Sequence, residues 1–261
     1  PLSIHELTVA GVKFDSFESY LFHGFLPRVH SQQQRPRTAY SSYYQTYVER
    51  DVRQLIQLKD AALFEKFMKL MAGRIGQLIN YQSLGNDVGA DAKTIKHWLS
   101  ILEASFVVFK LHPYFENFGK RVIKAPKYYF TDPGLACHLL DIERVEQVSR
   151  DPLVGSLFEN LVILEALKFR YNRGLSPNLY FFRDSRGNEL DLLHKTGNEF
   201  HGIEIKSSST YHASFKKGLI HFDENTHSLE KKSIVYSGEN RTFSDGIQLA
   251  SYLQIESILE G

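Results

Sequence analysis

The sequence predicts an α/β chain built from two modules. Residues 39–104 carry apolar side chains at helical spacing, and two short strand-like runs follow up to residue 130. From Asp151 the pattern changes to helix, strand, strand, strand, helix, strand.

The elements read as follows. Ser16 to Leu26 has Phe17, Tyr20 and Leu21 at helical spacing, with Gly24 and Pro27 ending the run. Ser31 to Arg37 is Gln-rich and basic and reads as an exposed loop. A helix is expected over Ala39–Leu58, with Tyr43, Tyr44, Tyr47, Val48, Val52, Leu55 and Ile56 on one broad face. Leu63, Phe64, Phe67, Leu70 and Met71 form the stripe of the next helix, which stops near Gly73 and Gly76. A short helix near Tyr81–Asn86 and a Gly89-Ala90 turn precede a third helix, Ala92–Ala104, with Asp91 as its cap. Strands are expected at Phe106–Leu111 and Lys127–Phe130, joined by a loop through Pro113–Lys124. Three helices followed by a β-hairpin is a winged-helix order.

The second module opens with an apolar helix, Leu157–Phe169, broken by Asn172, Gly174 and Pro177. Leu179–Arg183 and Glu189–His194 form a hairpin across Asp184-Ser185-Arg186-Gly187-Asn188, and Gly197-Asn198 turns the chain into Phe200–Lys206. Ala213–Asp223 reads as a helix and Ser233–Tyr236 as a further strand.

Composition limits the function classes. Hydrophobic residues make up 43% and the net charge is +1, so a core is available and any nucleic-acid surface must come from local clustering. The single cysteine, Cys137, excludes an intramolecular disulfide, suits a reducing cytoplasm and reads as a buried structural thiol. No apolar run is long enough for a membrane span, so no membrane partner is expected. The start, Pro1-Leu2-Ser3-Ile4, lacks an initiator Met and signal-peptide features and reads as a fragment of a longer chain.

Chemistry concentrates in the second module. In Glu204-Ile205-Lys206, strand alternation puts the carboxylate and the ammonium on one face. Asp191 lies in the preceding alternating segment, Glu189-Leu190-Asp191-Leu192-Leu193. Two carboxylates with a nearby cation suit a hard divalent metal and a phosphate, the chemistry of phosphodiester hydrolysis. A Glu-x-Lys pair alone is common on edge strands. Glu159 sits among Phe158, Leu161, Val162 and Ile163, where a carboxylate must be paired or coordinating; Arg183 and Lys168 are the competing ion-pair partners.

Glu159 in the first helix, Asp191 in the second strand and Glu204-Ile205-Lys206 in the third resemble the PD-(D/E)XK nuclease superfamily, over roughly residues 151–236. The resemblance implies that Asp191 and Glu204 hold Mg²⁺ or Mn²⁺, that Lys206 is the catalytic cation and that Glu159 is an accessory acid. Leu190 stands where the pattern has Pro. Some members of that superfamily only bind DNA or act as scaffolds.

The first module carries candidate DNA contacts. Lys93, Lys96 and His97 share a helix face opposite Trp98 and Leu102. Lys110, Lys120, Arg121, Lys124 and Lys127 surround the expected wing against Glu116 alone, with Tyr114, Phe115 and Phe118 interleaved. A solvated hairpin or a protein-docking surface would carry the same residues.

A wider resemblance spans nearly the whole chain. Tyr47-Val48-Glu49-Arg50-Asp51-Val52, Ala72-Gly73-Arg74-Ile75-Gly76-Gln77, Thr94-Ile95-Lys96-His97-Trp98-Leu99, Thr131-Asp132-Pro133-Gly134-Leu135 and Phe158-Glu159-Asn160 look like the C-terminal region of a large family of prokaryotic AAA+ ATPases. In that family the C-terminal domain has no known function. The resemblance implies three parts: residues 1–40 as the tail and lid of an ATPase domain outside this chain, 41–150 as a winged-helix-like domain, and 151–261 as a restriction-endonuclease-like PD-(D/E)XK α/β domain. It also implies that ATP is bound only through that other domain, since no P-loop motif occurs here. The partners implied are DNA, the chain's own ATPase domain and further copies in a homo-oligomer. Arg50 or Arg53 would contact a neighbouring subunit, or else pair with Glu49 or Asp51 on the helix surface. The expectation is a divalent-metal-dependent DNase centre with a DNA-binding winged helix. The alternative is a catalytically inactive DNA- or protein-binding, regulatory platform for the ATPase.

Overall fold

The computed structural model describes residues 1–57, 60–115, 123–243 and 245–260. The chain is mixed α/β, with strands in the order β2-β1-β3-β4-β5-β6-β8-β7. It divides into two compact units, Pro1–Lys110 with Lys127–Asn160, and Leu111–Pro126 with Leu161–Gly261.

The first unit is mostly helical: α1 (Ile4–Val9), α2 (Phe17–His23), α3 (Pro27–Ser31), α4 (Pro36–Tyr43), α5 (Arg53–Ile56), α6 (Ala61–Ala72), α7 (Tyr81–Val88), α8 (Ala92–Ala104), then the start of β1 (Val108–Pro113), whose end belongs to the second unit, β2 (Lys127–Phe130), α9 (Pro133–Leu139) and α10 (Val145–Val148). The helix expected over 39–58 starts earlier, because Pro36 supplies a preset first-turn φ, and its centre, Tyr44–Val52, is π-helical. Within it Tyr44, Val48 and Val52 are buried at four-residue spacing. Arg50 Nε bonds Asp51 Oδ1 at 2.7 Å, the surface ion pair that was one of the two readings of Arg50. Asp91 caps α8 as expected, its carboxylate accepting the Thr94 N–H at 2.8 Å.

One buried carboxylate ties this unit together. Asp132, 2% exposed, accepts the Tyr40 hydroxyl at 2.7 Å and the Gly134 N–H at 2.8 Å through Oδ1, and the Phe25 N–H at 3.1 Å through Oδ2. Burial, then the Asp132 charge, holds the Tyr40 hydroxyl well above its ordinary pKa, so it stays a donor. Glycine is required on both sides. A Cβ on Gly134 would lie 2.3 Å from the Tyr40 ring, and one on Gly24, whose φ is +59°, would lie 2.3 Å from Asp132 Oδ1.

The long helix α11 (Val154–Asn172) gives its start to the first unit and its remainder to the second. In the first unit, the Asn160 side chain accepts the Phe130 N–H at 2.7 Å and donates to the Phe130 carbonyl at 3.0 Å, standing in for a neighbouring strand beside β2.

The second unit holds β3 (Leu179–Arg183), β4 (Glu189–Thr196), β5 (Glu199–Lys206), α12 (Lys217–Asn225), β6 (Lys231–Tyr236), β7 (Arg241–Thr242), β8 (Gln248–Ser251) and α13 (Ile255–Glu260). β3, β4 and β5 are antiparallel neighbours, and β6 joins β5 in parallel. Gly197, at φ +62°, makes the two-residue turn between β4 and β5. The described ends of the loop expected to project as a wing lie along β3: Tyr114 N–H bonds the Phe181 carbonyl at 2.7 Å and Ile123 N–H the Arg183 carbonyl at 3.1 Å. The reason is aromatic burial. Tyr114, expected among surface lysines, packs edge-on against Phe200 at 5.1 Å in a cluster with Phe182 and Phe222.

Asp132→Ala is expected to destabilise the chain by about 3 kcal/mol or more, because it removes the acceptor shared by two interior N–H groups and the Tyr40 hydroxyl, which keeps its 3.2 Å bond to the His23 carbonyl. Urea denaturation followed by circular dichroism measures it; a loss under roughly 1 kcal/mol would contradict the role given to Asp132.

Candidate active site

β4 and β5 bring three of the predicted residues together. Leu192 pairs with Ile203, and Asp191 and Glu204 lie one step beyond that pair. Asp191 Oδ2 accepts the Ile205 N–H at 2.8 Å, and Lys206 Nζ lies 2.7 Å from Asp191 Oδ2 and 2.5 Å from Glu204 Oε2. One ammonium therefore bridges two carboxylates on adjacent strands. Glu204 is buried, while the Lys206 side chain keeps 31% of its exposure, so the cluster opens to solvent through the lysine.

The charges do not balance. Two carboxylates and one ammonium leave one excess negative charge when all are ionised. Burial, then Asp191, pushes the Glu204 carboxyl well above its ordinary pKa, with Lys206 opposing. Burial works against the Lys206 ammonium, but Asp191 and Glu204 outweigh it and hold the lysine above its ordinary value, charged at neutral pH.

The wall behind Glu204 was not legible in the sequence. A Cβ on Gly218 would meet Glu204 Oε1 at 1.9 Å and the Glu189 carbonyl at 2.1 Å, so only glycine lets α12 lie this close. The available signal was a glycine inside an otherwise amphipathic helix. Beside it, Arg183 Nη1 pairs with Glu189 Oε2 at 3.0 Å.

The structure does not add Glu159 to this group. Glu159 belongs to the first unit, where Oε1 accepts from Lys127 Nζ at 2.9 Å and the Tyr129 hydroxyl at 2.5 Å. The alternative partners are engaged elsewhere: Arg183 with Glu189, and Lys168 with the buried Glu165 at 2.7 Å. Among the described residues, no three or more His, Cys, Asp or Glu side chains gather as a metal-holding group. Two carboxylates still meet the usual need of Mg²⁺, which takes one or two and fills its remaining positions with water and phosphate oxygens.

The candidate DNA contacts separate. Lys93, Lys96 and His97 are exposed on α8, opposite the buried Trp98, Leu99 and Leu102. Lys124 is exposed, with its ammonium 5.8 Å from the centre of the Phe115 ring. Lys110 is ion-paired with Glu103. Lys127 is 3% exposed and bound to Glu159, so it presents no charge to solvent. Lys120 and Arg121 lie outside the described residues. Cys137 is buried, which with the Asp132 charge raises its thiol pKa, as expected of a structural thiol. No helix among the described residues is long and apolar enough to cross a membrane.

A mixed α/β chain with a Lys-bridged carboxylate pair on its central strands is the class these features define. Residues 14–146, just over half of the chain, match the family described as Domain of unknown function (DUF8612), and the chain belongs to that family. Residues 154–255 match Domain of unknown function (DUF4143). An uncharacterized protein of Mycobacterium tuberculosis is 32% identical over 202 residues, covering 76% of this chain and 44% of the relative. An uncharacterized protein of Haemophilus influenzae is 24% identical over 244 residues, covering 90% and 56%. The chain thus spans about half the length of the curated relatives it matches. No solved structure matches it.

The raised Glu204 pKa fixes the sign of a pH effect. A carboxyl whose folded pKa exceeds its unfolded value binds more protons when folded, so its contribution to stability falls as pH rises from the ordinary glutamate range through the folded pKa. Glu204→Gln is therefore expected to gain on the wild type by roughly 1 kcal/mol at pH 8, and the gain should shrink toward pH 5. Denaturant midpoints at the two pH values test this; a variant that gains relative to wild type on acidification would contradict it.

Proposed function

We propose that this chain is the DNA-engaging C-terminal part of an AAA+ ATPase, and that Asp191, Glu204 and Lys206 form a phosphodiester-hydrolysing centre that works with Mg²⁺ or Mn²⁺. The observation that carries the reading is the single ammonium shared by carboxylates from two adjacent strands. The order of elements around it, a helix and then three antiparallel strands, supports a PD-(D/E)XK-like fold for the second unit. In this reading Asp191 and Glu204 hold the ion, which when bound supplies Lewis acidity beside the phosphate. Lys206, kept protonated by both carboxylates, offsets the negative charge that grows on the phosphate oxygens as the P–O bond breaks.

DNA contact is assigned to the exposed face of α8, through Lys93, Lys96 and His97, in a winged-helix-like first unit; Lys124, on the Leu111–Pro126 segment of the second unit, is a further phosphate contact. The ATPase partnership rests on the sequence resemblance, and the curated relatives, about twice as long as the matched segment, leave room for a further domain.

A second reading is a catalytically inactive DNA- or protein-binding platform for the ATPase. It is favoured by the closure of Lys206 on both carboxylates and by the engagement of Glu159 with Lys127.

Plasmid nicking with Mn²⁺ or Mg²⁺ separates the two. The nuclease reading expects cleavage by the wild type and a loss of about a hundredfold or more in Asp191→Asn and Lys206→Met. Salt-sensitive DNA binding, weakened by Lys93→Ala with Lys96→Ala and accompanied by no cleavage, would establish the platform instead.

A further inference from the structure

The opposite face of the β4–β5 hairpin carries a second polar group. Counting back from the Gly197-Asn198 turn pairs Thr196 with Glu199 and His194 with His201. His201 is three positions from Glu204 on the same strand, so the imidazoles point away from the carboxylate cluster. They line a cavity of about 200 Å³ together with Arg170 of α11, Lys231 of β6 and Ile258 and Leu259 of α13. Both imidazoles are buried, yet both reach the cavity wall.

The chemistry of this wall is that of a donor set. His201 Nε2 lies 2.8 Å from Ser233 Oγ, and His194 Nε2 lies 3.5 Å from Thr196 Oγ1, at the edge of hydrogen bonding. Burial first, then the surrounding cations, lowers both imidazoles to about 4, so at neutral pH each is uncharged and keeps one N–H. Arg170 and Lys231 act on His194; His194 and Lys231 act on His201. Three carboxylates also line the cavity. Glu260 is bonded to Arg173. Glu199 and Glu230 are exposed, and neither is among the charges that shift the imidazoles. Arg170 and Lys231 thus stand on the wall beside two uncharged imidazoles and Thr196, a set of cations and N–H or O–H donors that suits an oxyanion. Arg170 donates Nε to the Ser176 carbonyl at 2.9 Å, which fixes the guanidinium plane.

We propose that this cavity binds the phosphate group of a small molecule, with Arg170 and Lys231 supplying charge and His194, His201 and Thr196 supplying hydrogen bonds. The site lies on the other face from Asp191, Glu204 and Lys206 and does not depend on the function assigned to them.

The test is nitrogen-15 NMR of the histidine side chains in the whole chain, titrated without divalent metal. One titration uses inorganic phosphate and a second uses a 5′-mononucleotide. Saturable shifts of the His194 and His201 resonances are expected in the millimolar range or tighter. The imidazole pKa values should rise, because a bound anion favours the protonated ring. Tighter binding of the nucleotide would mean that the carrier is recognised as well; equal binding would mean that the phosphate alone is. Arg170→Gln should weaken binding roughly tenfold or more. Lys231→Ala, at an exposed position, gives the same reading if Arg170→Gln unfolds. Absence of shifts from either ligand, or shifts unchanged in Lys231→Ala, would overturn the proposal.

Discussion

An ammonium held between two carboxylates from neighbouring strands is the interaction on which the second unit's arrangement turns. Lys206 bridges Asp191 and Glu204 where the antiparallel pairing of β4 and β5 ends, and Asp191 also takes the Ile205 N–H. Removing the lysine would leave two like charges together in a poorly solvated place. The rest of the unit accommodates this cluster. α12 approaches through the bare backbone of Gly218, and the parallel β5–β6 pairing, which includes Glu204↔Ile234 and Lys206↔Tyr236, backs it with apolar side chains.

The first unit holds a buried carboxylate as well. Asp132 accepts from a hydroxyl and two backbone N–H groups, which gathers Phe25, Tyr40 and Gly134 around one oxygen pair. Glu159 is treated differently, with both a lysine and a tyrosine as donors. Three acids in apolar surroundings thus have three different remedies. Of the three, the strand cluster brings two carboxylates together and opens to solvent, which is why it is the candidate site.

Much of this was legible in the sequence, for reasons that can be stated. β4, β5 and β6 follow from alternation and from Gly197-Asn198, and α8 follows from its Asp91 cap and the Trp98, Leu99, Leu102 stripe. The Asp191, Glu204, Lys206 grouping follows from strand parity and order. Less was legible wherever a residue's partner is distant in sequence. Nothing local marks Lys127 as the partner of Glu159, 32 positions away, or Tyr114 as a core aromatic. The short β7 and β8 and the C-terminal helix α13 are too brief to show a period. The His194–His201 pair could have been found, since a two-residue turn fixes its register.

The nuclease reading stands or falls with one divalent cation held by Asp191 and Glu204 beside Lys206. Titration of the chain with Mn²⁺, followed by electron paramagnetic resonance of the free ion, tests it most directly. One saturable site per chain is expected, lost in Glu204→Gln and retained in Glu159→Gln. Absence of saturable binding, or a site indifferent to Glu204, would contradict it.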